Sequence, residues 1–362
     1  MHSSEEHPSG NDVQTLAVMF PTDQSPDEWK KLCDRKQVSG PWPYALNLLG
    51  ASFDVVPMVS DSLSAARLAT LFARTKLNSF NILSKKASLK TVDYAFSWDE
   101  TMAVRSLYSV NASRYVTGLI WVTDDLISNT NPLKSLFLRS ILRQFDGIFF
   151  SSRAQLEVAR RWLARESISL EWIPMGVDPA FYPYYDYPTD PFVFSMGTDK
   201  HRDPKTLARA LATVLDKMPN TEMIVQTNQP HLFPRGIDAV ARLDGADVRR
   251  CYARSSVIAL ALRPNVHVSG VTVALEGMSS GRPVVATDNP GLSDYIKDGV
   301  TGFLTPPGDS DELAVRLLEV LGNQLMGRDM GVEARTAVES KFNVQNMNKS
   351  IASFITSISL VT

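Results

Sequence analysis

The stretch with the most chemical content runs from Ser269 to Gly302, SGVTVALEGMSSGRPVVATDNPGLSDYIKDGVTG. It opens with Ser269-Gly270-Val271-Thr272, directly before a helical pattern over Val273 to Met278. The first turn of a helix carries N–H groups without intrahelical partners and the positive end of the helix dipole, a natural seat for a phosphate. Gly270 lets the backbone approach such a group closely. Glu276 lies about one turn further in. A carboxylate there cannot aid a phosphate and is better suited to accept hydrogen bonds from a diol. The plain alternative is an ordinary loop and helix with a solvated glutamate. A second turn, Asp288-Asn289-Pro290-Gly291, ends the next apolar run at the same end of the sheet and weakens that alternative.

These residues need a scaffold, and the rest of the chain supplies a repeating one. Short apolar runs predict strands at Thr15 to Phe20, Phe53 to Pro57, Tyr94 to Trp98, Thr117 to Val122 and Phe145 to Phe150. Helical spacing follows over Leu63 to Phe72, Leu133 to Leu142 and Gln155 to Leu163. The second half repeats the alternation. Strands are predicted at Phe192 to Gly197, Glu222 to Gln226, Ser256 to Leu260 and Arg282 to Ala286. Helices are predicted at Pro204 to Leu215 with Asp203 as N-cap, Thr272 to Met278, Asp311 to Leu321 and Phe342 to Ile358. Strands alternating with helices imply parallel sheets with right-handed crossovers. A proline- and aromatic-rich segment, Ile173 to Asp190, divides the halves. The fold class is therefore α/β, with two domains facing each other across a cleft. Ligands of such sheets bind at the carboxyl ends of the strands, at the mouth of that cleft.

Composition agrees with a folded, soluble chain. Its 362 residues are 44% hydrophobic and 21% charged, ordinary globular values. Net charge is −2, so strong global attraction to nucleic acid is not expected. Cys33 and Cys251 make no disulfide scaffold and have no zinc-ligand spacing, so they read as reduced thiols. The first apolar run is too short for a signal peptide and no run approaches a membrane span, so the expected location is the cytoplasm. Residues 62–92 hold Arg67, Arg74, Lys76, Lys85, Lys86 and Lys90 and no acidic side chain. Peripheral contact with an anionic inner membrane face, an anionic acceptor and a solvated helix face are all open there, the last being the commoner use of such a run.

The Ser269–Gly302 stretch resembles the signature of retaining GT-B glycosyltransferases of the family four group. The matching residues are Leu275-Glu276-Gly277-Met278, Gly281-Arg282-Pro283-Val284-Val285-Ala286-Thr287, Asp294-Tyr295-Ile296, Asp298-Gly299-Val300-Thr301-Gly302 and Pro306-Pro307-Gly308-Asp309. Ile173-Pro174-Met175-Gly176-Val177-Asp178 resembles the opening of the family's second domain, and Asp146 to Ser152 the last strand of its first. The resemblance covers residues 145–321 well and the first 140 poorly. It implies the GT-B fold, two Rossmann-like α/β domains. Residues 1–175 would form the acceptor-binding domain and 176–342 the nucleotide-sugar-binding domain. The C-terminal helix 343–362 would cross back to the first.

It also implies roles. Gly197-Thr198-Asp199-Lys200-His201-Arg202-Asp203 follows a strand at the cleft mouth. Arg202 and Lys200 would stabilise the departing diphosphate, a guanidinium holding its oxygens bidentately without a metal. Thr198 stands where many relatives have the first arginine. The family's first glutamate, seven residues before Glu276, falls near Val268, so sugar recognition is expected to differ. His267 beside it would hydrogen-bond a sugar hydroxyl or serve as a loop histidine. Asp294 stands where relatives often carry glutamate. Arg263 would reach phosphate or sugar, or lie solvated. Donor binding would draw on Gly40, Gly197, Thr198, Arg263, His267, Ser269, Gly270, Val271, Thr272 and Glu276, the last holding the ribose.

In the first domain, Gly40-Pro41-Trp42-Pro43-Tyr44 matches a loop that touches donor phosphate and acceptor in relatives. Thr123-Asp124-Asp125 stands where relatives have a histidine. One of Asp124 and Asp125 is expected to act on the acceptor hydroxyl and the other to cap a helix. Trp42, Trp98 and Asp99 are candidate acceptor contacts. The expected function is a retaining, metal-independent glycosyltransferase moving a sugar from a nucleotide-diphosphate sugar, a co-substrate rather than a cofactor. The acceptor would be a glycan, a lipid-linked or a small molecule. The alternatives are a nucleotide-sugar epimerase of the same fold and a non-catalytic nucleotide-sugar-binding partner protein.

Overall fold

The structure, a computed structural model, describes residues 13–60, 91–127, 132–164 and 167–358. The basic stretch and the helical pattern Leu63 to Phe72 thus lie wholly or almost wholly outside the described residues.

The first half begins with β1 (Thr15–Pro21), α1 (Pro26–Asp34), β2 (Asp54–Ser60) and β3 (Thr91–Ser97). It continues with α2 (Glu100–Ser109), β4 (Asn111–Leu119), α3 (Val122–Ile127), α4 (Pro132–Leu142), β5 (Gly147–Phe150), α5 (Arg153–Leu163) and β6 (Ser169–Trp172). The second half holds β7 (Phe192–Met196), α6 (Pro204–Lys217), β8 (Glu222–Gln226), β9 (Asp238–Val240), α7 (Gly245–Arg254) and β10 (Val257–Leu260). Then come α8 (Val271–Ser279), β11 (Val284–Thr287), β12 (Gly302–Thr305), α9 (Ser310–Gly322), α10 (Gln324–Ser340) and α11 (Val344–Ile358).

The strands form two six-stranded parallel sheets, ordered β2-β1-β3-β4-β5-β6 and β12-β11-β10-β7-β8-β9. The central strands read as near-continuous apolar runs, as strands covered on both faces must. Phe192 to Ser195 and Val257 to Leu260 are all buried. In the second sheet the chain runs outward from β7 to β9, then restarts at β10 on the other side of β7. The loops after β7 and β10 therefore diverge at a topological switch point, where open α/β sheets bind ligands.

The chain passes between the halves beside its own return. Val177 N donates to Phe342 O at 2.9 Å, and Val344 N donates to Val177 O at 3.1 Å. Helix α11 then lies on the first sheet, where Asn348 Nδ2 donates to Tyr44 O at 3.1 Å. One apolar cluster runs from Phe96, Trp98 and Phe149 through Met175 and Val177 to Phe194, Ile258, Ile351 and Ile355, so the halves share an interior.

Three local expectations are corrected. Val122 begins a helix rather than ending a strand. The buried Glu100 explains this, since its carboxylate accepts from the N–H groups of Ile120, Trp121 and Val122 at 2.8–2.9 Å. That holds the N–H groups at the α3 start, and Asp124 lies inside the helix rather than at its N-cap, with its carboxylate turned to Val266 and His267. The apolar run Ala45 to Leu49 after the Gly40–Tyr44 loop, which spacing predicts to be helical, is a 3-10 segment, Pro43–Ala51, with Tyr44 and Ala45 left-handed at φ 55° and 54°.

Candidate functional site

The candidate site grows from the two loops at the switch point. After β7 the chain turns at Gly197 into Asp199-Lys200-His201-Arg202. After β10 it continues through Arg263 to Gly270. The loops pair with each other: Asp203 N donates to Ala261 O at 2.9 Å and Arg263 N to His201 O at 2.7 Å, an antiparallel bridge centred on Arg202 and Leu262. Arg202 is thereby fixed by backbone bonds on both sides. Its side chain folds over Gly197, where a Cβ would stand 2.1 Å from Nε; only glycine fits.

The guanidinium is aimed as well as fixed. Nε lies 2.8 Å from Asp199 Oδ2, and only 14% of the side chain is exposed. Asp199 is held in turn by the Ser269 hydroxyl at 2.9 Å and the His201 N–H at 3.0 Å. Burial tends to raise the Asp199 pKa, but Arg202 and these donors outweigh it and hold the carboxyl below its ordinary value. Burial lowers the Arg202 pKa against the pull of Asp199. Arg202 Nη1, like Nε despite its ion pair, is buried with no hydrogen-bond partner among the described residues. It points at the start of α8, where a Cβ on Gly270 would stand 2.9 Å from it. Gly270 has φ 86° and precedes a helix with no side-chain cap. An unpaired guanidinium nitrogen and a set of uncapped N–H groups thus meet at one point, the arrangement a doubly charged oxyanion requires.

This point opens on a cavity of about 200 Å³ between the halves. Tyr44, Trp98, Trp121 and Gln155 line it from one side, and Asp199, Arg202, His267 and Ser269 to Thr272 from the other. Ligand cavities usually reach ~300 Å³ or more, so this is a narrow cleft. A larger groove of about 930 Å³, near Phe303 and Met326, shares no residue with the cluster.

Contacts across the cleft keep it closed. Asp124 of α3 accepts from Val266 N at 2.8 Å, and its other oxygen hydrogen-bonds His267 Nδ1. His267 Nε2 faces His201 Nδ1 at 3.4 Å. Burial, with His267 alongside, holds the His201 pKa below its ordinary value. Asp294 accepts from Arg153 N at 3.0 Å, at the start of α5, and the Tyr295 hydroxyl donates to Ser151 O. Val268 between His267 and Ser269 is buried at φ 61°. A β-branched residue in that region costs ~1–3 kcal/mol and persists only where its surroundings hold it.

The sequence-predicted residues divide clearly. Arg202, Gly197, His267, Ser269, Gly270, Val271 and Thr272 converge on the switch point. Lys200 and Thr198 are exposed and outside the cavity lining, as is Arg263, whose Nη1 donates to Lys200 O at 3.3 Å. Glu276 accepts from the Tyr252 hydroxyl at 2.8 Å. Burial pushes its carboxyl up to about 7, with Tyr252 and Tyr182 pulling the other way.

In the first half, Gly40 and Trp42 stand apart from the cavity, Trp42 packing edge-on against Phe20 at 5.3 Å. Trp98 reaches the cavity, but Tyr44 stacks on its face at 3.9 Å, so Tyr44 occupies the stacking surface. Asp99 is corrected from acceptor contact to N-cap of α2, accepting from Thr101 and Met102 N–H. The Asp125 side chain lies outside what the structure describes. Sequence reasoning missed Asp199, Tyr44 and Trp121. Asp199 carried a usable signal, three residues before Arg202; the other two carried none.

Residues 192–323 match the family described as glycosyl transferases group 1. A sulfoquinovosyl transferase of Arabidopsis thaliana is 32% identical over 140 residues, covering 36% of this chain and 27% of that protein. An alpha-1,3/1,6-mannosyltransferase of Dictyostelium discoideum is 33% identical over 89 residues, 24% of this chain and 21% of its own. The aligned segments thus span well under half of either relative. Among solved structures, sucrose-phosphate synthase from Thermosynechococcus elongatus superposes with TM-score 0.69 at 16% identity, covering 96% of this chain and all of that one. Anabaena HepE in complex with UDP-glucose superposes with TM-score 0.67 at 17% identity, covering 95% of this chain and all of that one. The chain has the GT-B fold, and residues 192–323, which hold its second sheet, are similar to the group 1 glycosyl transferases.

Proposed function

We propose that the protein transfers a hexosyl group from a nucleotide-diphosphate sugar to an acceptor hydroxyl with retention of anomeric configuration. The observation that carries this reading is the meeting of Arg202 Nη1 with the uncapped N-terminus of α8 at the cleft mouth. The departing diphosphate would lie there, its charge met by the Arg202 guanidinium and the N–H groups of α8. These donors are built into the fold, so no step of the proposed reaction requires a metal at the diphosphate. Asp199 and Ser269 position the guanidinium rather than touch the donor.

The nucleoside would extend past Gly197 toward the recess lined by Met196, Gln226, Thr227 and Phe233. Glu276, which already accepts from the Tyr252 hydroxyl, would accept from the ribose as well. The sugar would face His267 and Trp121, and the acceptor would come from the Tyr44–Trp98 side. Further closure around a bound donor would exclude bulk water and protect it from hydrolysis, and the narrow cleft must widen to admit it.

The test is a thermal-unfolding panel of UDP-, GDP-, ADP- and TDP-sugars with their free nucleotides, beginning with UDP-glucose. A ligand at one hundred times its Kd adds ~2.7 kcal/mol of stability. One nucleoside diphosphate should raise Tm, and Arg202→Ala should abolish the rise. No shift with any nucleotide would overturn the donor-site reading. Product analysis with the selected donor then separates transfer from epimerisation.

A further inference from the structure

Three side chains in the closed cleft have no part in holding the diphosphate: Asp124, His201 and His267. One potential ligand atom from each lies within 4.8 Å of the other two. His201 Nδ1 and His267 Nε2 face each other at 3.4 Å. Two nitrogens bound to one tetrahedral Zn²⁺ at ~2.0–2.1 Å stand about 3.3–3.4 Å apart. The observed spacing is that of two corners of a zinc tetrahedron.

The remaining ring nitrogen of His267 strengthens the match. Nδ1 hydrogen-bonds the Asp124 carboxylate, so the neutral ring that donates there presents its Nε2 lone pair to His201. Zinc-bound histidines usually show this carboxylate partner, which orients the ring and raises its basicity. Both backbones are held in place. His201 O accepts from Arg263 N at 2.7 Å, and Ser269 N donates to Asn265 Oδ1 at 3.0 Å just past the strained Val268. His267 is buried, with Trp121 against its ring at 4.7 Å between centroids.

We propose that His201 Nδ1 and His267 Nε2 bind a divalent transition metal, Zn²⁺ by geometry, with Asp124 of the first domain as the orienting partner of His267. Water completes the coordination. Asp199, bonded to His201 N on one side and Arg202 on the other, separates this site from the diphosphate seat. The metal is therefore not the diphosphate counter-ion. Because Asp124 belongs to the other domain, metal binding and cleft closure favour each other, as linked equilibria must. The site acts as a cation-sensitive brake: occupied, it holds the cleft shut and slows donor admission and product release.

The experiment is calorimetric titration of untagged full-length protein with ZnCl₂, alongside thermal unfolding with and without the metal. The wild type should bind one Zn²⁺ and gain Tm. His201→Ala and His201→Gln, at a half-exposed position, should fold normally in chelator yet lose that binding. Asp124→Asn should weaken it about 10–100-fold, the usual cost of removing such a partner. Uptake of one Co²⁺ with the visible absorption of a four-coordinate N/O site would support the geometry. The proposal is overturned if the wild type takes up no Zn²⁺, or if His201→Ala binds it as the wild type does. Unchanged affinity in Asp124→Asn overturns the link to closure. None of these readouts depends on sugar transfer, so failure here and failure of the transferase reading are distinguishable.

Discussion

Arg202→Ala should separate binding from folding, and the structure sets both magnitudes. Truncation removes the ion pair with Asp199, a close charged contact without hydrogen-bond geometry at Nε and so worth at most ~1.5–3 kcal/mol. It also removes Nη1, a buried donor without a partner, whose desolvation costs ~1–3 kcal/mol. The two effects oppose each other. Asp199 meanwhile keeps the Ser269 hydroxyl and the His201 N–H. Net stability should therefore change by no more than about 1–2 kcal/mol. Catalysis should change far more, since a donor aimed at developing oxyanion charge is worth ~10²–10³ in rate. Arg202→Lys should recover only part of this, because an ammonium cannot hold two oxygens in a planar fork. Thermal unfolding, nucleotide calorimetry and kcat/KM on the same preparations test all three statements. A variant that transfers sugar within tenfold of the wild-type rate would refute the assigned role. So would unfolding by more than about 4 kcal/mol with nucleotide affinity unchanged, which would make Arg202 a structural residue.

Gly270→Ala places a Cβ at φ 86° and 2.9 Å from Arg202 Nη1. It should lose ~1–2 kcal/mol of stability from the left-handed backbone and weaken nucleotide binding by displacing the guanidinium, both read by ligand-dependent Tm. Glu276 has a folded-state pKa of about 7, above its ordinary 4.5. Its protonation therefore favours folding at low pH, and this stability is lost as pH rises through about 7, up to about 3 kcal/mol. Denaturant titrations from pH 5 to 8 should show that decline in the wild type and a flatter profile in Glu276→Gln. Glu100→Ala removes the acceptor for three N–H groups at the start of α3. It should cost ~3 kcal/mol or more and loosen Asp124, visible as faster amide exchange at Ile120 to Val122.

Much of the second domain was legible in the chain itself. Apolar runs separated by helical spacing predict β7, β8, β10 and β11 to within two residues, because strands buried on both faces leave few polar positions. Asp203 before Pro204 predicts the start of α6, and Gly270 predicts the turn into α8, because both signals are local. Shorter or more polar elements, β6, β9 and α7, gave no such pattern. Asp99 and Glu100 show the limit: a carboxylate at a strand end suits a ligand contact and a helix cap equally. The choice depends on which N–H groups lie within reach.

Pairing across distance is what the order of residues could not express. Thr198, Lys200 and Arg202 look alike as a loop of polar groups. Only the antiparallel bridge to Leu262 turns Arg202 inward and leaves the other two exposed. Asp124 and His267 are 143 positions apart and meet because the halves close on each other. The chain determined most of the two sheets and the glycine turn into α8 through local propensity and periodicity. The tertiary structure decided which charges face each other, since hydrogen bonding and burial depend on where a group comes to rest rather than on its neighbours in sequence.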